Sequence, residues 1–100
     1  MEIQQFITEN VNYVTFSAGL DASDLDTINN VQKLMESCVE DMILNGVAES
    51  NITSKKLALT ALVQYVVDNQ TSTPGSFAAS KAYYANIQKL KYLPVEESVT

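Results

Sequence analysis

Apolar and polar positions along this chain recur with helical spacing, and one stretch is apolar almost throughout. In KKLALTALVQYVVDNQ, residues 55–70, only Thr60 and Gln64 are polar between Leu57 and Val67. A helix this apolar around its circumference is normally enclosed by protein or lipid. Its eleven-residue run is shorter than the roughly 20 residues that span a bilayer. Protein is therefore expected to supply the cover.

The other segments predict what that cover is. MEIQQFITENVNYVTF places Ile3, Phe6, Ile7, Val11 and Val14 at helical spacing, predicting a helix over 2–13, and SAGLDAS then reads as a loop. In SDLDTINNVQKLMESCVEDMILNG, Ser23 is the expected N-cap, with Asp24 and Asp26 in the first turn and Asp26 at the capping-box position. Gly46 supplies the left-handed stop, with Val47 folding back on Met42. A helix over 24–44 follows, about 30 Å long.

Its apolar seam is Ile28, Val31, Met35, Cys38 and Met42, widened by Leu25, Leu34, Val39 and Ile43. The seam lasts barely two heptads, too short for a sustained coiled coil, so it predicts an amphipathic helix on a globular core. Glu36, Glu40 and Asp41 are expected on its solvent side, where acids keep a helix wet.

VAESNITS reads as a polar link, with Asn51, Thr53 or Ser54 capping a third helix over 53–69. Pro74 and Gly75 in QTSTPGS mark a turn. The fourth helix is expected over 76–92, with Ala79, Tyr83, Ile87 and Leu90 inward, Tyr84 and Tyr92 nearby, and a stop before Pro94. The predicted fold is all-α: a small bundle of about four helices (2–13, 24–44, 53–69, 76–92) with the third central. Residues 1–92 form a single domain, and 93–100 a flexible acidic tail.

Composition narrows the function. One hundred residues, 46% hydrophobic and 18% charged, suit one modest core rather than disorder. Cys38 is the lone cysteine and histidine is absent, so neither an internal disulfide nor the usual zinc set is expected. A reduced, intracellular setting fits, since residues 1–6 show no signal-peptide pattern. The sequons at Asn51 and Asn69 then read as chance matches.

The net charge of −6 is unevenly distributed. Residues 1–50 carry nine acids and one lysine (−8); residues 51–100 carry three acids and five lysines (+2). The halves should attract each other within a subunit or between neighbours. Arginine, the commonest reader of guanine, is absent. The acidic chain would be repelled by a phosphate backbone, which disfavours a DNA-binding repressor.

Catalytic chemistry is missing too. The commonest general base is absent, Cys38 falls mid-helix on an apolar seam, and three isolated glycines cannot build a phosphate loop. No catalytic, cofactor-binding or metal-binding residues are therefore assigned. Tyr83 and Tyr84 read as packing residues rather than a base-stacking platform. The expected trade is contact, and a contact joining unlike patches is heterologous, closing into rings or running into filaments.

The order of parts over about residues 20–70 resembles the head–tail connector (adaptor) proteins of tailed bacteriophages. The local match is LVQYVVDNQ, residues 62–70, where that family carries a pattern like Leu-Val-x-x-Trp-Tyr-Glu-Asn-Arg. Leu62, Val63, Asp68 and Asn69 fit it; Val66, Val67 and Gln70 depart from it. DASDLDTINNVQKLMESCVEDMILNGV is similar to the family's acidic start and amphipathic helix ending at glycine.

The resemblance implies a virion structural protein of the neck, assembled in the bacterial host cytoplasm as a ring below the portal, twelve-fold where the family symmetry holds. Such a ring extends the DNA channel without sequence-specific binding. It docks the portal and the next head-completion or tail protein, and has no membrane role. On this reading the candidate subunit or partner interface comprises Leu62, Tyr65, Val66, Asp68, Asn69, Tyr84, Lys89 and Lys91, with Val95 and Glu96 in the tail. The alternative is a small cytoplasmic helical regulator that binds one protein partner without a ring.

Overall fold

The computed structural model describes residues 1–71 and 79–94, and these are all-helical with no strand among them. Among the described residues five helices follow one another: α1 (Ile3–Ser17), α2 (Leu25–Leu44), α3 (Glu49–Ser54), α4 (Lys56–Thr71) and α5 (Lys81–Tyr92). The expected count of four is corrected by α3, which forms where a polar link was predicted.

Two glycine stops shape the first hairpin. After α2, Gly46 (φ 92°) donates its N–H to Ile43 O and Val47 donates to Met42 O, both at 3.0 Å. This Schellman pairing satisfies two helix-end carbonyls and buries Val47. The same device ends α1: Gly19 (φ 79°) donates to Phe16 O and Leu20 to Thr15 O. It extends α1 four residues beyond the expected end at Tyr13, because SAGL carries the stop and the helix runs up to it.

The start of α2 differs from the expected cap. Ser23 is occupied by Asp21, whose Oδ1 accepts both its N–H (2.9 Å) and its hydroxyl (2.6 Å). These two bonds hold the Asp21 carboxyl below its ordinary range. Asp24 is the N-cap instead, and its Oδ2 accepts from the Thr27 N–H and hydroxyl.

The core is one cluster drawn from all five helices: Phe6, Ile7, Val11 and Val14 of α1; Val31, Met35, Cys38, Val39 and Met42 of α2; Ile52 of α3; Ala58, Ala61, Leu62 and Val66 of α4; and Tyr83, Ile87 and Leu90 of α5. Leu25 and Ile43, expected to widen the α2 seam, are exposed. α4 packs against α1, α2, α3 and α5. No apolar side chain of α4 is exposed, and Thr60 alone faces water between Leu57 and Val67. The cover of the most apolar helix is thus its own chain.

α3 and α4 are separated by Lys55, which is extended (φ −103°, ψ 133°). Neither glycine nor proline marks the break, so the helix expected from Thr53 onward runs across it, whereas α4 starts at Lys56. The break separates the buried pair Asn51 and Ile52 from the buried set on α4. α5 begins later than expected: Ser80 is its N-cap, accepting from the Tyr83 N–H at 3.2 Å, and Ala79 is not helical. The expected turn at Pro74 and Gly75, the helix start at Ser76 and the tail beyond Pro94 lie outside the described residues. No helix among the described residues is long and apolar enough to cross a membrane.

Candidate functional site

Three polar anchors tie α5 to the rest of the fold and decide which of its faces is left outside. At its N-terminal end, Asp68 of α4 accepts the Ser80 N–H (3.0 Å) and the Gln64 amide (2.8 Å). Partial burial pulls the Asp68 carboxyl upward, but the Ser80 and Gln64 bonds outweigh it and leave it below its ordinary range.

One turn later Tyr83, fully buried, donates its hydroxyl to Asp41 Oδ2 (2.9 Å) and accepts from the Cys38 thiol (3.5 Å). Asp41 was expected in solvent; its position three residues after Cys38 on α2 turns both toward α5. Burial pushes the Cys38 thiol up to about 12. Burial, then the neighbouring Cys38 and Asp41, raises Tyr83 far above the usual phenol range. Both groups stay protonated at neutral pH, so the relay is a structural tie, not a nucleophile.

At the C-terminal end of α5, the buried Asn51 amide donates to Leu90 O (3.2 Å) and Leu93 O (3.1 Å). Leu90 O also accepts the Leu93 N–H (3.3 Å), so Asn51 adds a second donor there and supplies one to Leu93 O just past the helix end, while its own Oδ1 is buried without a partner among the described residues. The Asn51 sequon therefore sits in the core.

The expected interface residues separate into several environments. Leu62 and Val66 have no accessible surface; they are core residues, because the inward arc of α4 is the one facing four helices. Asp68 is spent on Ser80 and Gln64. Tyr65 is half-buried, its ring 5.4 Å from that of Tyr83, and Asn69 is half-buried near the end of α4. Tyr84 is exposed and stands edge-on to Tyr83. Lys89 is exposed; Lys91 lays its stem along Gly46 and its Nζ 5.8 Å from the Tyr92 ring centre. Val95 and Glu96 lie outside the described residues.

A surface not expected from sequence lies between the start of α1, the last turns of α2 and α3. An open groove of about 250 Å³ is lined by Ile3, Val39 and Ile43 with Glu36, Glu40 and Glu49 around them, and no lysine lines it. Ile3 and Glu49 also line a second groove that continues to Glu2 and Thr53. The spacing of Glu36, Glu40 and Ile43 on one helix face was the available signal, but it cannot show that α1 and α3 complete the walls.

Opposite in charge is α5, which carries Lys81, Lys89 and Lys91 and no acid. Phe16 and Leu25, at the turn end of the α1–α2 hairpin, are also largely exposed (77% and 70%). No group of three or more His, Cys, Asp or Glu side chains able to hold a metal occurs among the described residues. Comparison with protein-family models, curated proteins and solved structures finds no match.

Proposed function

We propose that this chain is a structural assembly subunit whose work is protein contact, of the head–tail connector kind that its middle section resembles. On this reading copies form a ring below a portal, continue the DNA channel and dock the next neck or tail component. The observation that carries it is the separation of charge on the folded surface: a groove with three glutamates and no lysine, and a helix with three lysines and no acid. Unlike patches of this kind favour heterologous contacts, the geometry that closes rings. The buried, protonated state of Cys38 and Tyr83 fits a non-catalytic role.

Native mass spectrometry and electron microscopy of the chain, alone and mixed with a phage portal, test the proposal. A cyclic oligomer in either sample is the expected result. A chain that stays monomeric in both sinks it.

The second reading is a single-partner adaptor without a ring. It is favoured by the exposed Phe16 and Leu25, which present apolar surface at the turn end of the α1–α2 hairpin. A one-to-one complex that weakens on Phe16→Ala, with no homo-oligomer, would select it.

A further inference from the structure

Resting on the assembly reading, we infer that the α1–α2–α3 groove receives α5 of a second copy of this chain. Charge and shape both point to that occupant. The groove presents an apolar floor of Ile3, Val39 and Ile43 inside a rim of Glu36, Glu40 and Glu49. The outward ridge of α5 is Lys81, Ala85, Gln88 and Tyr92, spaced i, i+4, i+7 and i+11, with Lys89 beside it; all five are exposed. The small Ala85 permits close approach along the ridge. Tyr92, 76% exposed, supplies the aromatic anchor that well-packed interfaces favour.

The chain cannot make this contact with itself. Cys38 and Asp41 hold Tyr83 of α5 on one side of α2, while Glu36, Glu40 and Ile43 face the groove. At 3.6 residues per turn those two sets point roughly half a turn apart around α2. The donor helix and the receiving groove therefore lie on opposed faces of one molecule. Each copy offers α5 forward and the groove behind, so the contact is heterologous. The curvature between successive copies then decides between ring and filament.

Charge reversal of the full-length chain tests this directly. Glu36→Lys/Glu40→Lys in the groove and Lys81→Glu/Lys89→Glu on α5 change exposed positions, and circular dichroism checks that each variant is folded. By sedimentation equilibrium, each double variant alone should associate at least about tenfold more weakly than the parent, because like charges meet across the contact. An equimolar mixture of the two should regain association, since each groove then meets an α5 of opposite sign. Tyr92→Ala should weaken the parent association without altering the helical signal.

If the parent forms oligomers only on a portal, the same variants are scored on that assembly. Oligomers that persist undiminished in both charge-reversed variants overturn this contact and leave the assembly reading standing. A parent that stays monomeric with and without portal overturns both.

Discussion

α4 and α5 lie against each other, yet they are held in place by different physics. α4 is fixed by burial: Ala58, Ala61, Leu62 and Val66 have no accessible surface, and its other apolar residues are at least half-covered by four neighbouring helices. α5 contributes Tyr83, Ile87 and Leu90 to the core and leaves most of its other side chains in water. Its position is set by bonds at both ends, from Asp68 to Ser80, from Tyr83 to Asp41 and from Asn51 to Leu90 and Leu93. Burial is strong but non-directional, so it chooses a neighbour without choosing a register. Hydrogen bonds are individually modest but directional, so they choose which face of α5 stays outside.

The largest blow to this arrangement falls on α4. Leu62→Ala should destabilise the fold by about 2–5 kcal/mol, the range for emptying a well-packed leucine site, as read by urea denaturation. A loss below 1 kcal/mol would mean that α4 is not the keystone of the packing. Tyr83→Phe comes next, at about 2 kcal/mol, because it strips a donor from a carboxylate and an acceptor from a buried thiol. Its signature should be local. Hydrogen exchange should accelerate at Ile87 and Leu90 more than at Leu62 and Val66, and Cys38 should react faster with a thiol reagent in native buffer. Equal acceleration in both helices would erase the distinction drawn between them.

Asn51→Ala should cost about 1 kcal/mol. Leu93 O loses its amide donor while Leu90 O keeps the Leu93 N–H, and the unpartnered Oδ1 is removed with the side chain and offsets part of the loss. Asp68→Asn should be smaller, about 0.5 kcal/mol, and should appear first as fraying at the start of α5.

pH separates the groups by sign. Asp68 is depressed, so its contribution is present above the ordinary carboxylate value of 3.8 and is lost as pH falls through its lowered pKa. Cys38 is raised from 9.0 to about 12, so its contribution is present below pH 9 and is lost as pH rises toward 12. Cys38→Ala should flatten that alkaline decline in a pH series of chemical melts, and Asp68→Asn should leave it in place.

The α2 helix was legible to within one residue at its start, because acidic residues precede it and Gly46 follows it. The buried positions Val31, Met35, Cys38 and Met42 were readable from period alone. The end of α1 was missed although Gly19 carries the same stop as Gly46, because the apolar pattern fades after Val14 and the loop composition drew the boundary too early. α3 was missed because six residues give barely two turns of periodicity. Of the candidate interface, Tyr84, Lys89 and Lys91 stand on the outer surface, whereas Leu62 and Val66 are inside. A pattern that reports an apolar helix cannot report which of its faces has a neighbour.

The sequence by itself determined that the fold is helical, where α2 begins and stops and where α5 stops, which residues have an apolar partner to find, and that acid and base are divided between its halves. Local spacing and capping chemistry carry that information within a few residues. Only the tertiary structure decided that Asp41 turns inward to Tyr83, that Asn51 caps a helix 39 positions away, and that Glu36, Glu40 and Glu49 from two helices rim one groove. Those outcomes depend on how helices cross, and crossing is settled by the packing of all five at once.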